Sequence, residues 1–317
     1  MKKASIAVAA AAAGMGLASP AAAQESEVIK VGLLDVGGGD MTFRDARTTI
    51  EHRDFVTEGQ RPASRMTRSG RENGVMTTSA FVRQARLLDE NAPIQVYSAN
   101  IFQEQSDRQQ AGSPRRITVN WEGAREAVEW FKQNDVKVVI ASFNGAESQE
   151  MHAFMEETRR NGMTVFAGSG NTPGGAAFPA MHPYAMSVGS DNPGHAYRTD
   201  PSQAGWVDVT MNGGVPMRRD GQEIDSGATY ATAKAAAFGS YYARSNPDVD
   251  PDIMRETLYS ISTTVEYTEG DRIITAMRLD ENGSAAELKN LVSRRASAAQ
   301  NQNLAMNSAM MTGAMQR

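Results

Sequence analysis

Short apolar runs alternate with longer segments of helical period along most of this chain. Residues 28–34 are mostly apolar and predict a strand. Residues 94–101 (Ile-Gln-Val-Tyr-Ser-Ala-Asn-Ile) alternate and predict another. Residues 136–141 are nearly continuously apolar, as expected for a strand covered on both faces. Residues 163–167 and 185–188 are shorter versions of the same signal. Between these lie helical segments at about 77–90, 121–133, 149–160 and 229–243. In 121–133, Ala124, Ala127, Val128 and Phe131 mark one face, and Asn134-Asp135 closes the helix. Strand–helix alternation of this kind predicts an α/β fold, a three-layer doubly wound parallel sheet with helices on both faces.

Three regions depart from that layout. Residues 37–73 are polar and rich in Gly, Arg and Thr, and read as an irregular insertion. Residues 273–279 followed by Asp280-Glu281-Asn282-Gly283 predict a late strand ending in a tight turn. Beyond about Ala296 the chain is Gln, Asn, Ala and Met, which predicts a fraying or disordered tail. Met306, Met310, Met311 and Met315 lack the fixed spacing of a thioether copper site. The expected organisation is a signal peptide at 1–23, one domain at 24–283, and a C-terminal helix and partly disordered tail at 284–317.

Lys2 and Lys3 precede an apolar stretch and the small residues Ser19-Pro20-Ala21-Ala22-Ala23, the pattern of a secretory signal. That stretch is too short and too Ala-rich for a stable membrane span, so the expected location is secreted or periplasmic, with no span after cleavage. Removing the two lysines takes the formal charge from −5 to about −7. An acidic balance argues against nucleic acid as a partner, since that needs a basic stripe. With no cysteine, stability outside the cytosol rests on packing, and thiol catalysis and thiolate metal sites are excluded. Roughly 290 mature residues suffice for one large core.

The chemistry-bearing stretches follow the predicted strands. Asp35 ends the run Val31-Gly32-Leu33-Leu34-Asp35, at the carboxyl end of a strand, where open parallel sheets form their sites. Asn73-Gly74-Val75-Met76-Thr77-Thr78 precedes a helix. Val138-Val139-Ile140-Ala141-Ser142-Phe143-Asn144-Gly145 and Val165-Phe166-Ala167-Gly168-Ser169-Gly170-Asn171 each leave a strand through small residues. Gly227-Ala228-Thr229-Tyr230-Ala231-Thr232-Ala233 opens an Ala-rich helix, with Ser226 or Thr229 available to cap it. Asp248, Asp250 and Asp252 lack EF-hand spacing and read as helix N-capping.

In order and spacing these stretches resemble the motif series of the subtilisin-like serine proteases, over residues 28–258. The resemblance implies a peptidase fold in which Asp35 is the acid that orients a base. Aligning Gly74 with the family's Gly-Thr-His signature places Met76 at the histidine, and the helix motif places Thr229 at the serine. Asn171 matches the oxyanion-hole asparagine. Ser142, Phe143, Asn144 and Gly145 match the edge that pairs with substrate backbone, with Gly168 and Gly170 allowing close approach. Phe178-Pro179 becomes a candidate cis bond, against the trans default.

A thioether accepts no proton near neutral pH, so the general-base role is lost. In subtilisin itself, losing base or nucleophile costs about a millionfold in turnover. The resemblance therefore implies a catalytically impaired member that binds an extended peptide. The short interval between 23 and 28, with no room for a family pro-segment, points the same way. No cofactor and no metal are expected. The alternatives are an active peptidase using Thr229, Asp35 and a displaced His52, and a structural envelope protein. His152, His182 and His195 read as structural or exposed.

Overall fold

Packing of the predicted helices onto both faces of a parallel sheet is what the chain adopts. The computed structural model describes residues 28–35, 43, 45–58, 68–105, 116–141, 143–170, 177–191, 206–216, 223–269 and 272–315. In chain order the elements are β1 (Ile29–Leu34), β2 (Thr48–Asp54), α1 (Arg68–Leu88), β3 (Ile94–Asn100), β4 (Phe102–Gln105), β5 (Arg116–Val119), α2 (Trp121–Gln133) and β6 (Val138–Ala141). These are followed by α3 (Gln149–Arg160), β7 (Thr164–Gly168), β8 (Ala185–Ser190), β9 (Val209–Met211), β10 (Gly214–Pro216), β11 (Glu223–Ser226) and α4 (Ala228–Ser245). The last are α5 (Pro251–Ser260), β12 (Thr263–Glu269), β13 (Arg272–Arg278) and α6 (Gly283–Met315).

Nine strands form one sheet in the order β12-β13-β9-β8-β7-β6-β1-β3-β2. All neighbours are parallel except the β12–β13 hairpin. Two antiparallel pairs, β4–β5 and β10–β11, stand apart. The pleat sends alternate residues to opposite cores. Ile29, Val31 and Leu33 join Phe81, Tyr230 and Leu258 on one face. Leu34 joins Ala127, Phe131 and Phe154 on the other. Hence α1, α4, α5 and the start of α6 cover one face, and α2 and α3 the other. This is a three-layer doubly wound α/β fold.

Helix α4 runs through the first core. Its Ala231, Ala233, Ala235, Ala236 and Ala237 are fully buried, and short side chains let the flanking layers approach closely. No described helix is long and apolar enough to cross a membrane.

Three expectations need correction. The stretch 37–73 is not irregular throughout, because it holds edge strand β2 and the opening of α1. Strand β2 reads Thr-Thr-Ile-Glu-His-Arg-Asp, and half-exposed edge positions tolerate that polarity, so no apolar run announces it. Helix α1 starts at Arg68, well before 77. Its Thr77, Thr78 and Ser79 hydroxyls donate to the carbonyls of Asn73, Gly74 and Val75, 2.8 Å each, which satisfies polar side chains inside the helix. The expected turn after β13 is present and opens a helix, with Asp280 Oδ1 accepting from Asn282 N at 3.0 Å and Gly283 N at 2.6 Å. That helix, α6, continues to Met315, past the fraying expected from Ala296. Asp250 does cap α5, its side chain accepting from Asp252 N at 2.8 Å. Residues 1–27, with the expected signal segment, lie outside the described residues.

Candidate functional site

Strands β7, β6, β1 and β3 are neighbours, so their carboxyl ends lie side by side on one edge of the sheet. Leu34 pairs with Ala141, and Ala141 with Ala167. Three of the singled-out stretches thus share one edge, at a strand spacing of about 4.8 Å.

Asp35 follows β1 and is 3% exposed. Its N–H donates to Ala99 O at 3.2 Å, and its Oδ2 lies 3.5 Å from Asn73 Nδ2 of α1. Met76 lies in the third turn of α1, not at a helix opening, and is buried. Its Sδ accepts from the Tyr230 hydroxyl at 3.5 Å. Tyr230 belongs to α4 and follows Thr229 directly, so the packing of α1 on α4 brings Asp35, Met76 and the start of α4 together. The sequence singled out Thr229 and overlooked Asn73 and Tyr230.

Thr229 is half-buried in the first turn of α4. The N-cap of that helix is Gly227, with no side-chain cap bond, and Thr229 lies one residue inside the helix. Gly227 N donates to Gly213 O at 3.3 Å, and Thr232 Oγ1 closes on Ala228 O at 2.6 Å. The partial positive charge of a helix N-terminus faces this end of the sheet.

Gly168 ends β7 against that turn: a Cβ there would lie 3.2 Å from Thr232 Oγ1 and 3.5 Å from the Ala228 carbonyl. Gly170 has φ +83°, a left-handed conformation open to glycine, and a Cβ on it would meet an Asn144 amide atom at 2.9 Å. With its Nδ2 turned inward, the Asn144 amide donates to the Phe143 and Gly168 carbonyls, 3.1 Å each. The structure thus joins the segments after β6 and β7.

Phe143 turns into the second core. Its ring makes an edge contact with Phe102 at 5.3 Å and a tilted contact with Trp121 at 6.2 Å. Gly145 is bridged antiparallel to Phe178, its N–H donating to Phe178 O at 2.9 Å. The N–H expected to meet a peptide is therefore taken by the chain's own backbone. Phe178-Pro179 is cis. Ser142, Asn171 and His195 lie outside the described residues.

The described histidines are engaged elsewhere. His52 sits on β2, separated from β1 by β3, in the row Leu33–Ser98–His52. Its Nδ1 is 3.1 Å from Ser98 Oγ and its Nε2 3.5 Å from Asp54. His152 of α3 contacts Glu147 at 2.8 Å and stacks near His182, with ring centroids 5.0 Å apart. His182 is buried, and its Nδ1 accepts from Tyr184 N at 3.2 Å. Burial, and then the charge of His152, hold the His182 imidazole below the usual histidine range, against Glu156 and Glu147. At the end of β8, burial raises the Asp191 carboxyl, although its Oδ2 lies 2.6 Å from Arg278 Nε. Among the described residues, no group of three His, Asp or Glu is placed to hold a metal ion.

No family profile and no curated protein matches the chain. Among solved structures, the fold is similar to that of a cold adapted subtilisin-like serine proteinase, with TM-score 0.52 and 17% identity. The match covers 80% of this chain and 88% of that one.

Proposed function

We propose that this protein is an exported subtilisin-like domain that binds a peptide segment in extended conformation and is catalytically impaired. The observation that carries the reading is the seat of Met76. At the sequence position that the resemblance aligns with the base, a buried thioether lies against the Tyr230 hydroxyl, and the α1 side chain beside Asp35 is the Asn73 amide. A thioether neither takes a proton from Thr229 nor gives one to a leaving amine. His52, the displaced base that an active enzyme would need, is held by Ser98 and Asp54. Buried Asp35 meets the Asn73 amide of α1 at 3.5 Å. The open space beside Gly145 leaves room for a close-lying peptide backbone.

The test uses purified mature protein and an unstructured casein substrate. The expected result is no cleavage above background and no change on Thr229→Ala, together with saturable binding of an extended peptide. Cleavage abolished by Thr229→Ala would establish the active-peptidase alternative. Absence of binding across a peptide library would favour a structural envelope role.

A further inference from the structure

The groove edge is closed by the chain itself, and two histidines stand behind the closure. The backbone from Ala177 to Ala185 folds on its own carbonyls. Met181 N donates to Ala177 O, His182 N to Pro179 O and Ala185 N to His182 O, 2.9 Å each. Within that turn the neutral His182 Nδ1 supplies the acceptor for Tyr184 N–H. His152, from α3, packs beside Phe178 and His182 of the segment. Its ring centroid is 6.3 Å from that of Phe178 and 5.0 Å from that of His182. Phe178 in turn holds Gly145 N–H.

We propose that His152 and His182 form an acid-sensitive latch, closed near neutral pH, that opens on acidification and frees Gly145 N–H and Phe178 C=O for an incoming peptide strand. The latch rests on the peptide-binding reading for its purpose, and on the geometry alone for its existence. Protonating His182 puts a hydrogen on Nδ1, so the Tyr184 amide loses its acceptor and faces a second donor. Protonating both rings sets like charges within 5.0 Å, centroid to centroid. The other charges that face the pair are Glu147 before α3 and Glu156 on it, which favour the charged forms. Arg159 of α3 lies over the Tyr184 ring and is paired with Asp252 of α5. Arg255 of α5 donates to Pro183 O at 2.9 Å. The segment is thus pinned at its 183–185 end, and the opening is assigned to its Phe178 end.

The sign follows from the direction of the His182 shift. A base held below its ordinary range binds fewer protons closed than open. Opening is therefore favoured as pH falls below about 6.5, by at most about tenfold per pH unit for each extra proton bound.

The direct measurement is the amide-exchange protection factor of Gly145 between pH 7.5 and pH 5, corrected for intrinsic rates. Protection falling with acid, by several-fold or more, is expected. His182→Asn, whose Oδ1 can accept from Tyr184 N–H without titrating, should keep the protection at pH 5. Should that variant fail to fold, His152→Gln, at a more exposed site, should blunt the fall. Protection that is flat with pH, or that falls equally in the folded variants, would overturn the latch. Binding of an unstructured casein peptide should tighten at pH 5 in the unmodified protein. A protection change without peptide binding at either pH would sink the peptide reading and leave the latch standing.

Discussion

Gly32, in the middle of β1, is a position where one added methyl group meets a rigid buried ring. A Cβ built there lies 2.7, 2.8 and 2.9 Å from three atoms of the Phe131 ring. Relief requires the ring of α2 to withdraw by roughly 0.7 Å, and protein interiors leave little slack for that. Phe131 is fully buried and in ring contact with Trp130 at 5.5 Å, so its retreat moves a second aromatic. Overpacking of this kind costs about 1–3 kcal/mol, and a rigid ring as the obstacle places Gly32→Ala near 2 kcal/mol. The assay is a double-mutant cycle by urea unfolding with Phe131→Leu, at constant m value. Phe131→Leu alone should cost about 1 kcal/mol or more through the space it leaves. The pair together should cost less than the sum by at least about 1 kcal/mol, because the added methyl fills part of that space. Costs that add to within about 0.5 kcal/mol would refute the claim that α2 presses on the bare backbone of β1.

Other consequences follow from the charged and capping groups. Lys234 of α4 is 4% exposed and donates to Gly214 O at 2.7 Å and Glu281 Oε1 at 2.6 Å. Lys234→Met should destabilise by about 2–3 kcal/mol in urea unfolding, the low end for a broken buried pair because Glu281 keeps some water. Asp250→Ala removes the cap of α5 and should cost about 1 kcal/mol by the same measurement. The Gly283 backbone N–H, with that of Asn282 and the Arg278 charge outweighing burial, holds the Asp280 carboxyl below the usual range. Its stabilisation is therefore full above about pH 4, the unfolded value, and lost as pH falls through the folded one. Acid titration of stability should show a shallower fall below pH 4 in Asp280→Asn than in the unmodified chain.

The parallel core was legible in the sequence because strands buried on both faces cannot hide their apolar runs. Residues 94–101, 136–141, 163–167 and 185–188 each fall on a strand, and 121–133 and 149–160 are α2 and α3 residue for residue. Edge strand β2 was invisible for the opposite reason: one side faces water, so Glu51, His52, Arg53 and Asp54 cost little there. Of the candidate site, sequence order alone placed Asp35, Phe143–Gly145 and Gly168–Gly170 at or just after strand ends, since a parallel sheet puts all such ends on one edge. Which side chains meet across that edge was settled by helix packing, which local pattern does not encode. Only α1 lying on α4 sets Met76 against Tyr230 in place of Thr229, and brings Asn73 to Asp35. Likewise, nothing within 142–145 announces that its N–H is already spent on Phe178, a partner more than thirty residues away. Hydrogen-bond partners at such separation are chosen by the whole fold, whereas burial on a strand is chosen residue by residue.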